Sequence, residues 1–170
     1  MVKELHADAQ VSIDDYHAYR SDRPNRTGGG CLPYVHTRLV VTDTHNYEDK
    51  YNNLIMCYIE SKHTIIAAVY RPPDSSATKF KDLIAAMQEK IDELSHNSRV
   101  PDMYITGDFN FPKIDWEHGS TTLDESEEML MRFIDSNFLS QIVREPTRSP
   151  NFENQVNSRT PTQCRRSHHQ

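Results

Sequence analysis

Cysteine is scarce in this 170-residue sequence, and its three copies, Cys31, Cys57 and Cys164, are far apart and odd in number. No disulfide framework and no paired zinc knuckle can be drawn from that spacing. A reducing, intracellular setting is the expectation that follows. No apolar run approaches the length that spans a bilayer. The first ten residues also lack the apolar centre of a secretory signal, so a soluble chain is expected. Hydrophobic residues make up only 36% of the chain, which leaves room for segments outside any core. Positive charge is short as well, with 25 acidic residues against 19 basic ones and a formal net charge of -6. That excludes gripping nucleic acid by bulk charge. It does not exclude a carboxylate-rich site, where a bound cation reverses the local field. The imbalance is uneven, because from Arg144 onward five arginines face two glutamates.

What is present suits one α/β domain. A short strand is expected near residues 16–19. The glycine run Thr27-Gly28-Gly29-Gly30 reads as a flexible entry to a strand over 31–41. Residues 53–60 and 63–70 are apolar and β-branched, and Ser61-Lys62 between them predicts a tight hairpin turn. Arg71-Pro72-Pro73 ends the second strand, because proline cannot continue the ladder. Ala77, Phe80, Leu83, Ile84, Met87, Ile91 and Leu94 repeat at helical spacing, with Ser76 as N-cap. A strand over 102–106 and a helix over 123–137 follow, the latter with Thr122 and Glu125 as a capping box. Residues 140–143 suggest one more strand. The domain is assigned to 1–148, and 149–170, polar and without periodicity, is expected to be a disordered or aberrant tail.

Three places could carry chemistry. Gly107-Asp108-Phe109-Asn110 follows an apolar strand. Residues two apart in extended chain point the same way, so Asp108 and Asn110 should project together while Phe109 turns into the core. A carboxylate can orient or deprotonate water or hold a cation, and an amide can donate to a phosphoryl oxygen. On these four residues alone an ordinary Asx turn explains as much. Tyr70 could reach over a cleft, and Arg71 could meet a phosphate. A tyrosine covering the core beside a proline turn is the plainer reading of that pair. Cys164 with His168 and His169 falls short of the four spaced ligands of a structural zinc site.

The order of the pieces says more than any one of them. Tyr19-Arg20-Ser21-Asp22-Arg23 comes first, then Gly28-Gly29-Gly30-Cys31, then Val69-Tyr70-Arg71-Pro72-Pro73 and an amphipathic helix. Ile105-Thr106-Gly107-Asp108-Phe109-Asn110-Phe111-Pro112, Ile114-Asp115-Trp116 and Arg144-Glu145-Pro146-Thr147-Arg148 complete the series. From about residue 10 to 148 this resembles the endonuclease domain carried by reverse transcriptases of non-LTR (LINE-like) retrotransposons, within the DNase-I-like exonuclease–endonuclease–phosphatase superfamily.

The resemblance implies a four-layered α/β sandwich, here incomplete, and a metal-dependent phosphodiesterase that nicks DNA. It implies Mg²⁺ or Mn²⁺ as cofactor, DNA as partner, a reverse transcriptase domain in a parent polyprotein, and a nuclear site of action. It gives Asp108 the role of orienting or activating the nucleophile, Asn110 a contact to the scissile phosphate and Tyr70 a reach toward that phosphate. It leaves the metal ligands unknown. The metal-binding Glu and the catalytic His of the family have no counterpart in this sequence. Glu4 lies near the expected Glu position but off the alignment, and neither His168 nor His169 follows an Asp. Truncation at both ends is expected, with weak or absent activity. The alternative is a non-catalytic remnant that binds nucleic acid or a protein partner.

Overall fold

The computed structural model describes residues 12–23, 29–96, 99–116 and 122–143, together with the backbone of 162–166. Its centre is a six-stranded sheet. The strands are β3 (Asp43–Glu48), β4 (Asn53–Ile59), β5 (Thr64–Tyr70), β6 (Asp102–Asp108), β7 (Leu139–Gln141) and β8 (Thr162–Arg166), in the order β3-β4-β5-β6-β8-β7. A separate pair joins β1 (Tyr16–Ala18) and β2 (Tyr34–His36). The β5–β6 pair is parallel, and the other pairs are antiparallel.

The parallel pair needs a crossover, which α1 (Ala77–Ser95) supplies. Ser76 caps α1 as its sequence predicts, accepting the Lys79 N–H. Phe80, Leu83, Met87 and Ile91 make its buried stripe. With α2 (Glu125–Ser136) they cover one face of the sheet, where Leu54, Met56, Ile65, Ala67, Val69, Met103 and Ile105 point into the core. Alternation along the strands sends Ile55, Cys57 and Ala68 to the opposite face, where Cys31 and Tyr19 pack on them.

Several sequence expectations are corrected. The link between β4 and β5 is a 3₁₀ turn, Glu60–Lys62, closed by His63 in the left-handed region at φ 49. The expected strand over 31–41 contracts to Tyr34–His36, with Cys31 in an isolated bridge to Ser21. The polar stretch Asp43–Glu48 forms an edge strand instead. Its half-buried residues alternate with exposed ones, as suits a strand packed on one side only. Lys90 of α1 pins that edge. Burial pulls its pKa down, but hydrogen bonds to Asp43 and Glu93 outweigh burial and raise it.

The capping box of α2 is Asp124 with Glu127, two residues beyond the expected Thr122 with Glu125. Glu127 is buried at 1% exposure and closes the box on the Asp124 N–H at 2.9 Å. The expected structureless stretch 149–170 contributes a strand, Thr162–Arg166, between β6 and β7. It joins through backbone pairing, which a polar composition does not advertise. The rest of that stretch, Glu4, Thr27, Gly28, Arg144 to Arg148, His168 and His169 lie outside the described residues. No helix among the described residues is long and apolar enough to cross a membrane.

Candidate active site

Strands β5 and β6 run parallel and end together, with Tyr70 opposite Asp108 in the register. Carboxyl ends of neighbouring parallel strands are where layered α/β folds place ligands. A cleft of ≈ 260 Å³ opens there, lined by Gly30 to Pro33, Ala68 to Tyr70 and Thr106 to Asp108. Sequence reading brought Tyr70 and Asp108 forward separately, and the sheet brings them together.

Gly107 makes the approach possible. It takes φ +154, and a Cβ there would stand 1.9 Å from the Val69 carbonyl oxygen. Any side chain would push β6 away from β5 one residue before Asp108. An isolated glycine inside a strand pattern is the sequence signal for such contact.

Asn110 departs from expectation. The extended alternation stops at Asp108, and Asn110 adopts φ 52. Asparagine tolerates this left-handed conformation better than most residues. Its backbone N–H donates to Asp108 Oδ1 at 3.2 Å, and its side-chain Nδ2 donates to the Arg71 carbonyl at 2.7 Å. Asp108 and Asn110 thus form an Asx turn rather than a side-by-side pair on an extended strand. Phe109 is buried, as the alternation predicted.

Arg71 turns inward. It is 5% exposed, and its guanidinium donates to the carbonyls of Phe109 at 3.2 Å, Asn110 at 3.4 Å and Ser75 at 2.9 Å. The Phe111 and Phe80 rings lie 4.2 Å and 5.4 Å from its centre. Burial pushes its pKa below the ordinary value, while Asp124, Glu127 and Asp74 pull it back up.

Tyr70 is fixed from the other side. The Arg23 guanidinium sits 5.2 Å above its ring. Gly29, at φ +79, passes so close that a Cβ would lie 2.5 Å from Tyr70 Cε1. Asn53 stands opposite Tyr70 in the β4–β5 register and is fully buried. Its Nδ2 ties down Ser21 Oγ and the Asp22 carbonyl, both at 3.2 Å. Nothing in the separate motifs marked Asn53 or Arg23 as neighbours of Tyr70, because the link runs across strands. The Cys31 thiol borders the cleft, but burial pushes it up to about 12, which makes it a poor nucleophile.

A divalent cation of the Mg²⁺ type takes oxygen donors, commonly carboxylates together with substrate phosphates and water. Among the described residues no three His, Cys, Asp or Glu side chains gather into such a set. Among the described residues Asp108 is the one carboxylate lining the cleft, and it already accepts from the Asn110 N–H. The described residues alone therefore do not make a complete cation site.

No curated protein matches in sequence. Solved structures do match in fold. The endonuclease domain of TRAS1, a telomere-specific non-LTR retrotransposon, superposes with a TM-score of 0.55 at 14% identity, over 91% of this chain and 68% of that one. AP endonuclease LMAP from Leishmania major gives 0.56 at 15% identity, over 98% and 66%. An endonuclease/exonuclease/phosphatase family protein from Bacteroides thetaiotaomicron gives 0.59 at 11% identity, over 93% and 62%. The chain thus spans about two thirds of the length of these structures, and its architecture is the DNase-I-like α/β fold, incomplete relative to theirs. The sequence profile described as endonuclease-reverse transcriptase matches residues 64–161, more than half of the chain and the part that carries Tyr70, Asp108 and Asn110. This chain belongs to the endonuclease-reverse transcriptase family.

Proposed function

We propose that this chain descends from a DNA-nicking phosphodiesterase of a retrotransposon and that its chemistry centres on Asp108. The observation that carries the reading is the opposition of Tyr70 and Asp108 at the ends of two parallel strands, in one cleft. Asp108 orients or deprotonates the attacking water. Tyr70 donates its hydroxyl to a phosphoryl oxygen as charge builds there. Asn110 has one amide N–H on the Arg71 carbonyl, which leaves the second for the scissile phosphate. Dependence on Mg²⁺ or Mn²⁺ is part of the proposal, as are DNA as substrate, a reverse transcriptase in the parent polyprotein and action in the nucleus. The domain is proposed to run past 148, the end expected from the sequence, to the end of β8 at Arg166, because that strand lies between β6 and β7.

The test is supercoiled plasmid incubated with the purified chain, with Mg²⁺ or with EDTA, beside Asp108→Ala. Metal-dependent nicking by the parent that the variant lacks supports the reading. Equal nicking by both, or none by either, sinks it. Either of those outcomes would favour a non-catalytic remnant that binds nucleic acid or a protein partner.

A further inference from the structure

Arg71 grips every residue of the turn that follows the candidate catalytic carboxylate. Its backbone N–H donates to the Asp108 carbonyl at 2.9 Å. Its guanidinium donates to the carbonyls of Phe109 and Asn110, and its own carbonyl accepts from Asn110 Nδ2. Its planar group also faces the Phe111 ring. The third carbonyl it holds, that of Ser75, belongs to the lead into α1. Arg71 also directly follows Tyr70 in the chain. One residue is thus bonded covalently to one member of the opposed pair and through four hydrogen bonds to the turn at the other. The side chain is too buried and too engaged to reach a substrate phosphate from this position.

We propose that Arg71 is a positioning residue whose guanidinium locks the turn at 109–110 so that Asp108 stays opposite Tyr70. The proposal rests on the reading of Asp108 as the reacting carboxylate for its effect on rate, but not for its effect on structure. A fork of donors spread over three carbonyls, with a flat face on an aromatic ring, is the property that separates arginine from lysine. Lysine keeps the stem and the charge and offers one compact donor group, so it cannot span the same acceptors.

The experiment compares the parent chain with Arg71→Met and Arg71→Lys. Thermal unfolding establishes that each variant is folded, and Arg71→Lys, which keeps a cation and its stem, serves if Arg71→Met does not fold. The backbone amide resonances of Asp108, Phe109 and Asn110 are then read against those of Ile55 and Cys57 on β4. Selective displacement or broadening at 108–110 is expected. In plasmid nicking, kcat should fall by about 10²-fold with KM unchanged, the size expected for a displaced catalytic group. Unmoved 108–110 resonances in a folded variant overturn the proposal. So does a raised KM at constant kcat, which would make the guanidinium a phosphate contact. If the parent does not nick DNA, the functional reading fails and the resonances still decide the clamp.

Discussion

Tyr70 and Asp108 are partners in the register of the parallel β5–β6 pair, and each is the last residue of its strand. The two side chains therefore stand together at the carboxyl ends of two central strands, on the face opposite the helices. Residues 38 positions apart come together because α1 carries the chain from one strand end back to the start of the next.

If the hydroxyl of Tyr70 acts on a phosphoryl oxygen, Tyr70→Phe should lower the nicking rate by about 10²-fold, the loss typical of one removed donor. The ring remains, so its contact with Arg23 and the stability of the fold should persist. A Tyr70→Phe protein that nicks as fast as the parent would remove the hydroxyl from the mechanism.

Gly107→Ala tests the close approach of β6 to β5. The new Cβ would meet the Val69 carbonyl at 1.9 Å and would sit at a φ that L residues rarely adopt. A loss of more than about 2 kcal/mol in urea unfolding is expected, since strain and backbone displacement add. A change within about 0.5 kcal/mol would mean that the two strands separate at no cost there.

The buried thiols make stability sensitive to alkali. Burial raises Cys31 to about 12 and Cys57 to about 11, from an ordinary value of 9.0. The unfolded chain releases these protons first, so their contribution is complete below pH 9.0 and is lost as pH rises toward those folded values. Lys90, also raised, adds a loss of the same sign at high pH. Urea midpoints measured from pH 8 to 11 should fall, and less steeply in Cys57→Ala. Identical slopes for the parent and Cys57→Ala would contradict this account.

Asp124→Ala removes the side chain that accepts the Ser126 and Glu127 N–H groups at 2.9 and 3.0 Å. A cost of about 1 kcal/mol is expected for the cap. The loss of Asp124 also takes away a carboxylate that raises the Arg71 pKa. Equilibrium unfolding measures the first effect, and no change in midpoint would show that α2 is held by packing alone.

The amino-acid sequence was enough to name the local elements whose pattern is strong. The period of Phe80, Leu83, Met87 and Ile91 named α1 and its buried face, and Ser76 marked its start. The apolar runs before Arg71 and at Met103 to Ile105 named β4, β5 and β6, because their burial leaves a one-dimensional trace. It also singled out Tyr70, Asp108 and Asn110, through the order of motifs that matches the family. It did not show Asp43–Glu48 or Thr162–Arg166 as strands, since these polar segments join the sheet by backbone pairing, which composition hardly registers.

The arrangement of the site came from contacts between segments far apart in the chain. Parallel pairing set Tyr70 against Asp108, and close backbone contact required Gly107. The left-handed turn swung Asn110 onto Arg71 rather than alongside Asp108. Arg71, which in sequence could be a ligand for phosphate, became an internal clamp because the Phe109 and Asn110 carbonyls and the Phe111 ring, from a segment distant in the chain, converge on it with the nearby Ser75 carbonyl and Phe80 ring. A motif states which groups are available. Whether a charged group faces solvent or the interior depends on partners that the fold brings to it.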